Sequence, residues 1–285
     1  MTTKVPFSLL DTTAISAMSA FRNRIINGSM TIDQRNAGAA IGSGLNVITY
    51  TLDRWSVAAT GAAVNVQRLG SAGNYYLNVT GADSNTIAIV RHRIEAANIA
   101  DLAGQTVTLS FVCSSTTATS VSVGCGYASA ADNFTTVTSI SSASKTITST
   151  GTTYTVQIAL PANAANGIEL SFGLANFTSG TFSLTNVQLE GNTVNTPFER
   201  RPVGLELALC QRYYEIVSGV SITTRPAYTP YGFKVSKRVT PTLSLFAGGV
   251  AGANYVVTNA DGFTCPEATL ATGTSGWSIA ATAEL

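Results

Sequence analysis

Thr106-Val107-Thr108-Leu109-Ser110-Phe111-Val112 places Val107, Leu109 and Phe111 on one side of an extended chain and Thr106, Thr108 and Ser110 on the other. A period of two marks a strand with one buried face. Comparable runs occur at Val64–Leu69, Tyr75–Val79, Thr153–Ile158, Ile168–Phe172 and Phe182–Leu189, with Gly, Asn, Asp and Ser clusters between them. Many short alternating runs and almost no helical periodicity predict an antiparallel β-sandwich over residues 23–200, and their order suggests a jelly roll. Ile94–Gly104 is expected to form a helical turn ended by glycine. No fixed-period repeat is present, which argues against a solenoid or β-helix.

Composition narrows the function classes. Charged residues are 11% of the 285, against roughly 25% in an ordinary soluble domain. Mean hydropathy is +0.23, yet no apolar run reaches the roughly 20 residues of a membrane helix. Ser, Thr, Asn, Ala and Gly supply the surface, and such weakly polar surface suits burial between subunits. A net charge of +1 supports neither nucleic-acid binding nor membrane insertion, which need clustered cations or long apolar spans. Cys113, Cys125, Cys210 and Cys265 form no CxxC pair, and His92 is the single histidine, so no metal or other cofactor is expected. Cys113 and Cys125 read as reduced, buried thiols rather than a cross-hairpin disulfide. The Val5–Leu10 apolar stretch is closed at once by Asp11, too short for a secretory segment, so folding in a cytoplasm is expected.

Three regions follow. Residues 1–22 read as an arm, with Ile15, Met18, Arg22 and Ile25 at helical steps after a capping Asp11. Residues 23–200 are the sandwich. Residues 201–285 hold a helix and a small β-domain, entered through Thr196-Pro197-Phe198-Glu199-Arg200-Arg201-Pro202, whose prolines disfavour helix on the residues before them. Val203, Leu207, Cys210, Tyr214 and Val217 recur at steps of four and three and predict a helix over 203–217. Strands are then expected at Gly232–Val235, Thr242–Phe246 and Tyr255–Thr258. The terminal Trp277-Ser278-Ile279-Ala280-Ala281-Thr282-Ala283-Glu284-Leu285 alternates again and reads as a strand lying on a core.

Four segments resemble a family of phage and prophage tail-fibre proteins. Asn27-Gly28-Ser29-Met30-Thr31-Ile32-Asp33-Gln34-Arg35 is similar to its opening NGxFxxxQR, and Tyr50-Thr51-Leu52-Asp53-Arg54-Trp55 to its YxADRW. Gln188-Leu189-Glu190, the Thr196–Pro202 segment and Leu205–Tyr214 resemble its long QLExGxxxTPFExRPxxxELxLCQRYY signature. Lys234–Thr242 is similar to its distal FxVxMRxxPT strand, with Lys237 where Met is common, and the chain shares the family's Ala-Glu-Leu ending. The resemblance spans about residues 23–285. It implies a carbohydrate-binding-module-like jelly roll followed by a trimeric receptor-binding tip. It also implies a homotrimer in the virion tail fibre, assembled in the host cytoplasm. The arm would be held by a phage tail, baseplate or adaptor protein, and the ligand would be host cell-surface polysaccharide.

Candidate residues follow. Sugars present flat C–H faces and hydroxyls, so exposed aromatics with amides or carboxylates suit them. Asn254, Tyr255, Asn259, Asp261 and Phe263, in or near the distal turns, are the expected ligand contacts, with packing at the core or trimer axis as the alternative. Leu207, Cys210, Tyr214 and Val217 are expected at the trimer interface. No catalytic residue is expected. Asp53-Arg54-Trp55 reads as an ion pair at a strand start with a core tryptophan, His92 as an exposed or half-buried strand residue, and Thr196–Pro202 as a structural joint rather than a site for anionic sugars. The function read from the sequence is a non-catalytic attachment protein. The rivals are a glycan depolymerase, which needs paired carboxylates in a groove, and a structural tail adaptor or spacer.

Overall fold

The computed structural model describes residues 21–221, 229–247, 256–257, 259–265 and 275–285. The chain divides into two compact units, residues 1–200 with Leu285 and residues 201–284. Strands of the first are β1 (Ile41–Gly42), β2 (Gly44–Leu45), β3 (Thr49–Leu52), β4 (Trp55–Thr60), β5 (Asn65–Ser71), β6 (Asn74–Thr80), β7 (Ile87–Ile94), β8 (Thr106–Ser115), β9 (Ser120–Ala130), β10 (Asn133–Thr146), β11 (Thr152–Ala159), β12 (Ile168–Ala175) and β13 (Thr181–Glu190). One sheet has the order β1-β5-β6-β13-β8-β11; the other runs β10-β9-β12-β7-β4-β2, with β3 paired to β4. The pairings are antiparallel apart from β2 with β4. From β6 to β9, and again from β10 to β13, the chain crosses between sheets at every step, as expected of a jelly roll.

The alternation read in the sequence is the packing rule of the sandwich. Val107, Leu109 and Phe111 of β8 face Ile168, Leu170 and Phe172 of β12 across the core, all fully buried. Phe111 meets Phe172 edge-on at 5.0 Å, and Trp55 lies 6.3 Å from Phe172. Interlocking inner faces of this kind give a sandwich core its density. Ile94–Gly104 forms two short 3-10 turns, Ala96–Asn98 and Ala100–Leu102, and Gly104 then adopts a left-handed φ of 79°.

Strand β13 carries an irregularity that positions everything on the outer face beside it. Its apolar phase runs Phe182, Leu184 and then Val187, Leu189, a slip of one residue. The structure accommodates the slip with a bulge between Thr185 and Gln188, where Asn186 takes a left-handed φ of 49°. Asparagine tolerates that region better than other non-glycine residues, and a bulge re-aims side chains. Beyond Leu184, β6 no longer pairs with β13. Residues 23–28 take its place: Arg24 N donates to Leu189 O at 2.9 Å, and Val187 N donates to Gly28 O at 2.9 Å. Ile25 is fully buried there. The helical steps read through Arg22 and Ile25 are therefore absent at residues 21–25, which are not helical; the rest of the expected arm helix lies outside the described residues.

The second unit opens with helix α1 (Val203–Gln211), followed by β14 (Tyr214–Ser221), β15 (Thr229–Gly232), β16 (Thr242–Ala247), β17 (Val256–Val257), β18 (Gly262–Cys265) and β19 (Ser275–Thr282). The expected helix to 217 thus ends at Gln211. Tyr214 and Val217 continue its step pattern by coincidence, while the β-branched Ile216, Val217 and Val220 favour a strand. One sheet has β19 at its centre between β14 and β16, and another has β18 between β15 and β17. The expected strands at Thr242–Phe246 and Tyr255–Thr258 correspond to β16 and β17, which belong to different sheets. The terminal stretch is the central strand, with Ile279, Ala281 and Ala283 buried and Ala280 buried as well.

Candidate functional site

The distal turn residues separate on inspection. Asn254 and Tyr255 lie outside the described residues. Asn259 and Asp261 are exposed. Asn259 Oδ1 accepts from the backbone N of Asp261 at 2.7 Å and of Gly262 at 3.1 Å, which closes the β17–β18 turn. Ser236 Oγ donates to the Asp261 carboxylate. Phe263 is 1% exposed; its ring stacks on Tyr231 at 5.4 Å and lies 5.7 Å from Phe233. That ring is core packing of the small sheet, because an inward position on a central strand leaves it no solvent face. Of the residues expected at a trimer interface, Cys210 and Tyr214 are already buried within one chain, while Leu207 and Val217 are half-buried.

The other motifs resolve as structure. Asp53 is fully buried and accepts from Gln34 N at 2.6 Å and Gln34 Nε2 at 2.7 Å. Trp55 Nε1 donates to Asn27 O at 3.0 Å, so the NGSM and DRW segments lock together. His92 is 1% exposed, with its ring 4.8 Å from that of Trp55. The expectation of an exposed or half-buried histidine is corrected by the phase of β7: Ala88, Val90, His92 and Ile94 point inward and Arg91 and Arg93 outward. Glu169 pairs with Arg91 at 3.3 Å and Arg93 at 2.7 Å. Burial lowers the Arg91 pKa, opposed by Glu169 and assisted by Arg93. Cys113 and Cys125 are free and buried, and burial pushes each thiol up to about 12.

Thr196–Arg201 is held by an extensive polar clamp. Glu190, fully buried, accepts from Thr196 N at 2.8 Å and Thr196 Oγ1 at 2.7 Å. Arg22 Nε donates to Thr196 Oγ1 at 2.8 Å and lies 3.7 Å from the Glu190 carboxylate. Glu199 N donates to Gln188 Oε1 at 2.8 Å, and the Glu199 carboxylate accepts from the backbone N of Phe21 and Asn23, each at 2.8 Å. Arg200 donates to Gly73 O at 3.0 Å, and Arg201 pairs with Glu206 at 3.3 Å. The two arginines are thus engaged in different places and do not converge on one anion.

The clamp lays residues 195–198 over the outer face of β13, β8 and β11, and a groove of about 380 Å³ lies between them. Such a volume falls at the lower end of the roughly 300–1,000 Å³ of small-molecule sites. Ser110, Val112, Thr153 and Asn186 come from the strands; Asn195, Thr196, Pro197 and Phe198 form the wall. Phe198 is half-buried, with the Arg200 guanidinium 5.8 Å from its ring centroid. Ser110 is 6% exposed. The side chains of Ser110, Thr153, Asn186 and Asn195 make no hydrogen bond among the described residues. A second dent of about 300 Å³, between residues 117–120 and 175–179, is formed mostly by exposed loop residues and ties its own rim together through Thr117 Oγ1 and Ser179 O at 2.7 Å. Reading by sequence placed ligand contact elsewhere and missed the groove. The one-residue slip between Leu184 and Val187 was its visible signal.

No protein-family model matches the chain, and no curated protein matches it. Solved structures resemble it. One is CBM4, at 18% identity over 58% of this chain and 98% of that one, with a TM-score of 0.41. Another is the enzymatically active domain of tailspike protein 4 of bacteriophage CBA120, at 15% identity over 60% of this chain and 22% of that one, TM-score 0.42. A third is the family 11 carbohydrate-binding module from Clostridium thermocellum with a β-1,3-1,4-mixed-linked tetrasaccharide, at 18% identity over 55% of this chain and all of that one, TM-score 0.36. Identities and TM-scores this low carry no function across to this chain.

Proposed function

We propose that the chain is a non-catalytic attachment protein of a phage tail that binds host cell-surface glycan. It acts as a homotrimer in the virion, with its N-terminal arm on a tail, baseplate or adaptor protein. The observation that supports this function is the groove beside Phe198. Its lining offers hydroxyl and amide groups with no partner in the described chain, one aromatic ring, and no carboxylate, histidine or thiol. Free hydroxyl and amide groups of this kind match a ligand rich in hydroxyls. General acid–base hydrolysis of a glycosidic bond calls instead for a carboxylate pair flanking the ligand.

The test is adsorption. The labelled full-length chain, mixed with cells of candidate host bacteria and with their purified envelope polysaccharide, is expected to sediment with both and to release no new reducing ends. Release of reducing ends would make it a depolymerase. Failure to bind any cell would leave a structural tail component.

A further inference from the structure

Resting on the glycan-binding function above, we infer that the Phe198 groove is the ligand site and that it selects an uncharged glycan segment. The first ground is hydrogen-bonding capacity. Ser110 is nine-tenths buried on the groove floor with a hydroxyl that meets no partner among the described residues, and Asn186 adds an amide from the adjacent strand. A sugar hydroxyl supplies both donor and acceptor to such free groups. Asn186 is aimed there by the bulge and its left-handed φ of 49°, so its amide is held by the backbone rather than by a flexible stem. Thr153 and Asn195 extend the same chemistry to the rim.

The second ground is shape. Phe198 is half-buried and forms the wall, presenting ring surface beside these polar groups. Rings with an apolar face and equatorial hydroxyls match an aromatic wall flanked by amides. The wall is fixed before any ligand arrives, because Thr196 is anchored on Glu190 and Glu199 N on Gln188. A preformed wall spares the ligand the entropy of ordering it.

The third ground is charge. None of the lining side chains is ionisable. The carboxylate of Glu190 bonds directly to the lining residue Thr196 and sits behind the wall, with Arg22 at 3.7 Å balancing it. An acidic sugar entering the groove would surrender hydration and find no cation on the floor. Two cations touch the wall from outside the lining: Arg22, whose Nε donates to Thr196 Oγ1 at 2.8 Å and whose Nη2 donates to Pro197 O at 2.5 Å, and Arg200, exposed over the Phe198 ring and engaged with Gly73 O.

Affinity electrophoresis of the full chain tests this. Gels contain neutral polymers (galactan, mannan, dextran, mixed-linkage β-glucan, host neutral polysaccharide) or acidic ones (polygalacturonate, alginate, hyaluronan). Retardation is expected in a neutral gel and in no acidic gel. Asn186→Ala and Phe198→Ala should each weaken it by about tenfold, and Ser110→Ala by less, with melting temperatures near the parent's. Retardation untouched by all three variants overturns the site. Retardation in acidic gels that is lost in Arg200→Ala overturns the ligand class. A chain that adsorbs to host cells yet is retarded by no neutral polymer overturns this inference and leaves the attachment function standing. A chain that binds neither cells nor polymer sinks both.

Discussion

Lys237 and Glu215 are 2% and 1% exposed, and Lys237 Nζ reaches the Glu215 carboxylate at 2.5 Å. Nζ also donates to Gln211 O at 2.6 Å and lies 4.7 Å from the Phe233 ring centroid. Burial lowers the Lys237 pKa, and the hydrogen bond and charge of Glu215 oppose that shift. The pair therefore ties the end of α1 to β14 and to the segment after β15. Removing one partner strands a buried charge, a loss of about 3–5 kcal/mol, whereas replacing both is often nearly neutral. Lys237→Met alone, the residue common in the tail-fibre pattern, should lower the urea midpoint of the distal unit sharply, and Glu215→Gln added to it should recover most of the loss. Equal destabilisation in the single and double variants would show that the coupling is absent. In the sandwich the relevant residues are Cys113 and Cys125, each raised from 9.0 to about 12 by burial. A thiol whose folded pKa lies above its unfolded value stabilises fully below the unfolded value. That contribution is lost as pH rises from about 9 to about 12. Iodoacetamide at pH 8.5 should leave both thiols unmodified in the native protein and alkylate them in urea. Stability of the sandwich should fall above pH 9, and less so in Cys125→Ala.

At the scale of elements, β13 and residues 23–28 act as one unit. A Cβ on Gly28 would stand 2.1 Å from the carbonyl oxygen of Val187 and 3.3 Å from Ile25 Cγ2. Gly28→Ala must therefore push the N-terminal segment off the bulge, at a cost of about 1–3 kcal/mol. Urea unfolding should show that loss, and the groove, whose Asn186 sits beside the displaced contact, should bind more weakly. An unchanged midpoint would mean that the segment does not carry the bulge. The same elements show what a sequence can reveal. Strands β8 and β12 were legible because each has a buried and an exposed face. Strand β10 was harder to see: Thr135, Thr136, Ser139 and Ser144 lie on an edge, and little apolar sequence marks them. The end of α1 was misplaced because Tyr214 and Val217 happen to fall at helical steps while the β-branched residues around them pair with β19. The groove was marked only by the slip between Leu184 and Val187, for a different reason. Its floor is Ser110 and Asn186 and its wall is 195–198, brought together by the Glu190 and Gln188 clamp rather than by any local pattern.

At the scale of the whole molecule, the first unit holds its own core and closes its own ends. Residues 21–23 are bound by Glu199 and Asn23, whose Oδ1 accepts from Leu189 N at 3.1 Å. A fragment of residues 21–200 should fold with a cooperative far-UV transition, and one starting at Asn27 should melt lower for want of Asn23 and Ile25. The assembly prediction belongs to the second unit. Charge is scarce at 11%, and α1 leaves Leu205, Leu207 and Leu209 half-buried while Val203 is 60% exposed. A homotrimer would bury this helix surface between copies. An aspartate at a position closed by assembly would be buried without a partner. Leu207→Asp is therefore expected to give a folded monomer with a parent-like circular dichroism spectrum. Tyr214→Asp is expected to do something else, because Tyr214 is 5% exposed inside one chain and its strand pairs with Thr282: it should unfold the distal unit itself. Sedimentation velocity of both variants beside the parent separates the two effects. A parent chain that sediments as a stable monomer at micromolar concentration defeats the trimer.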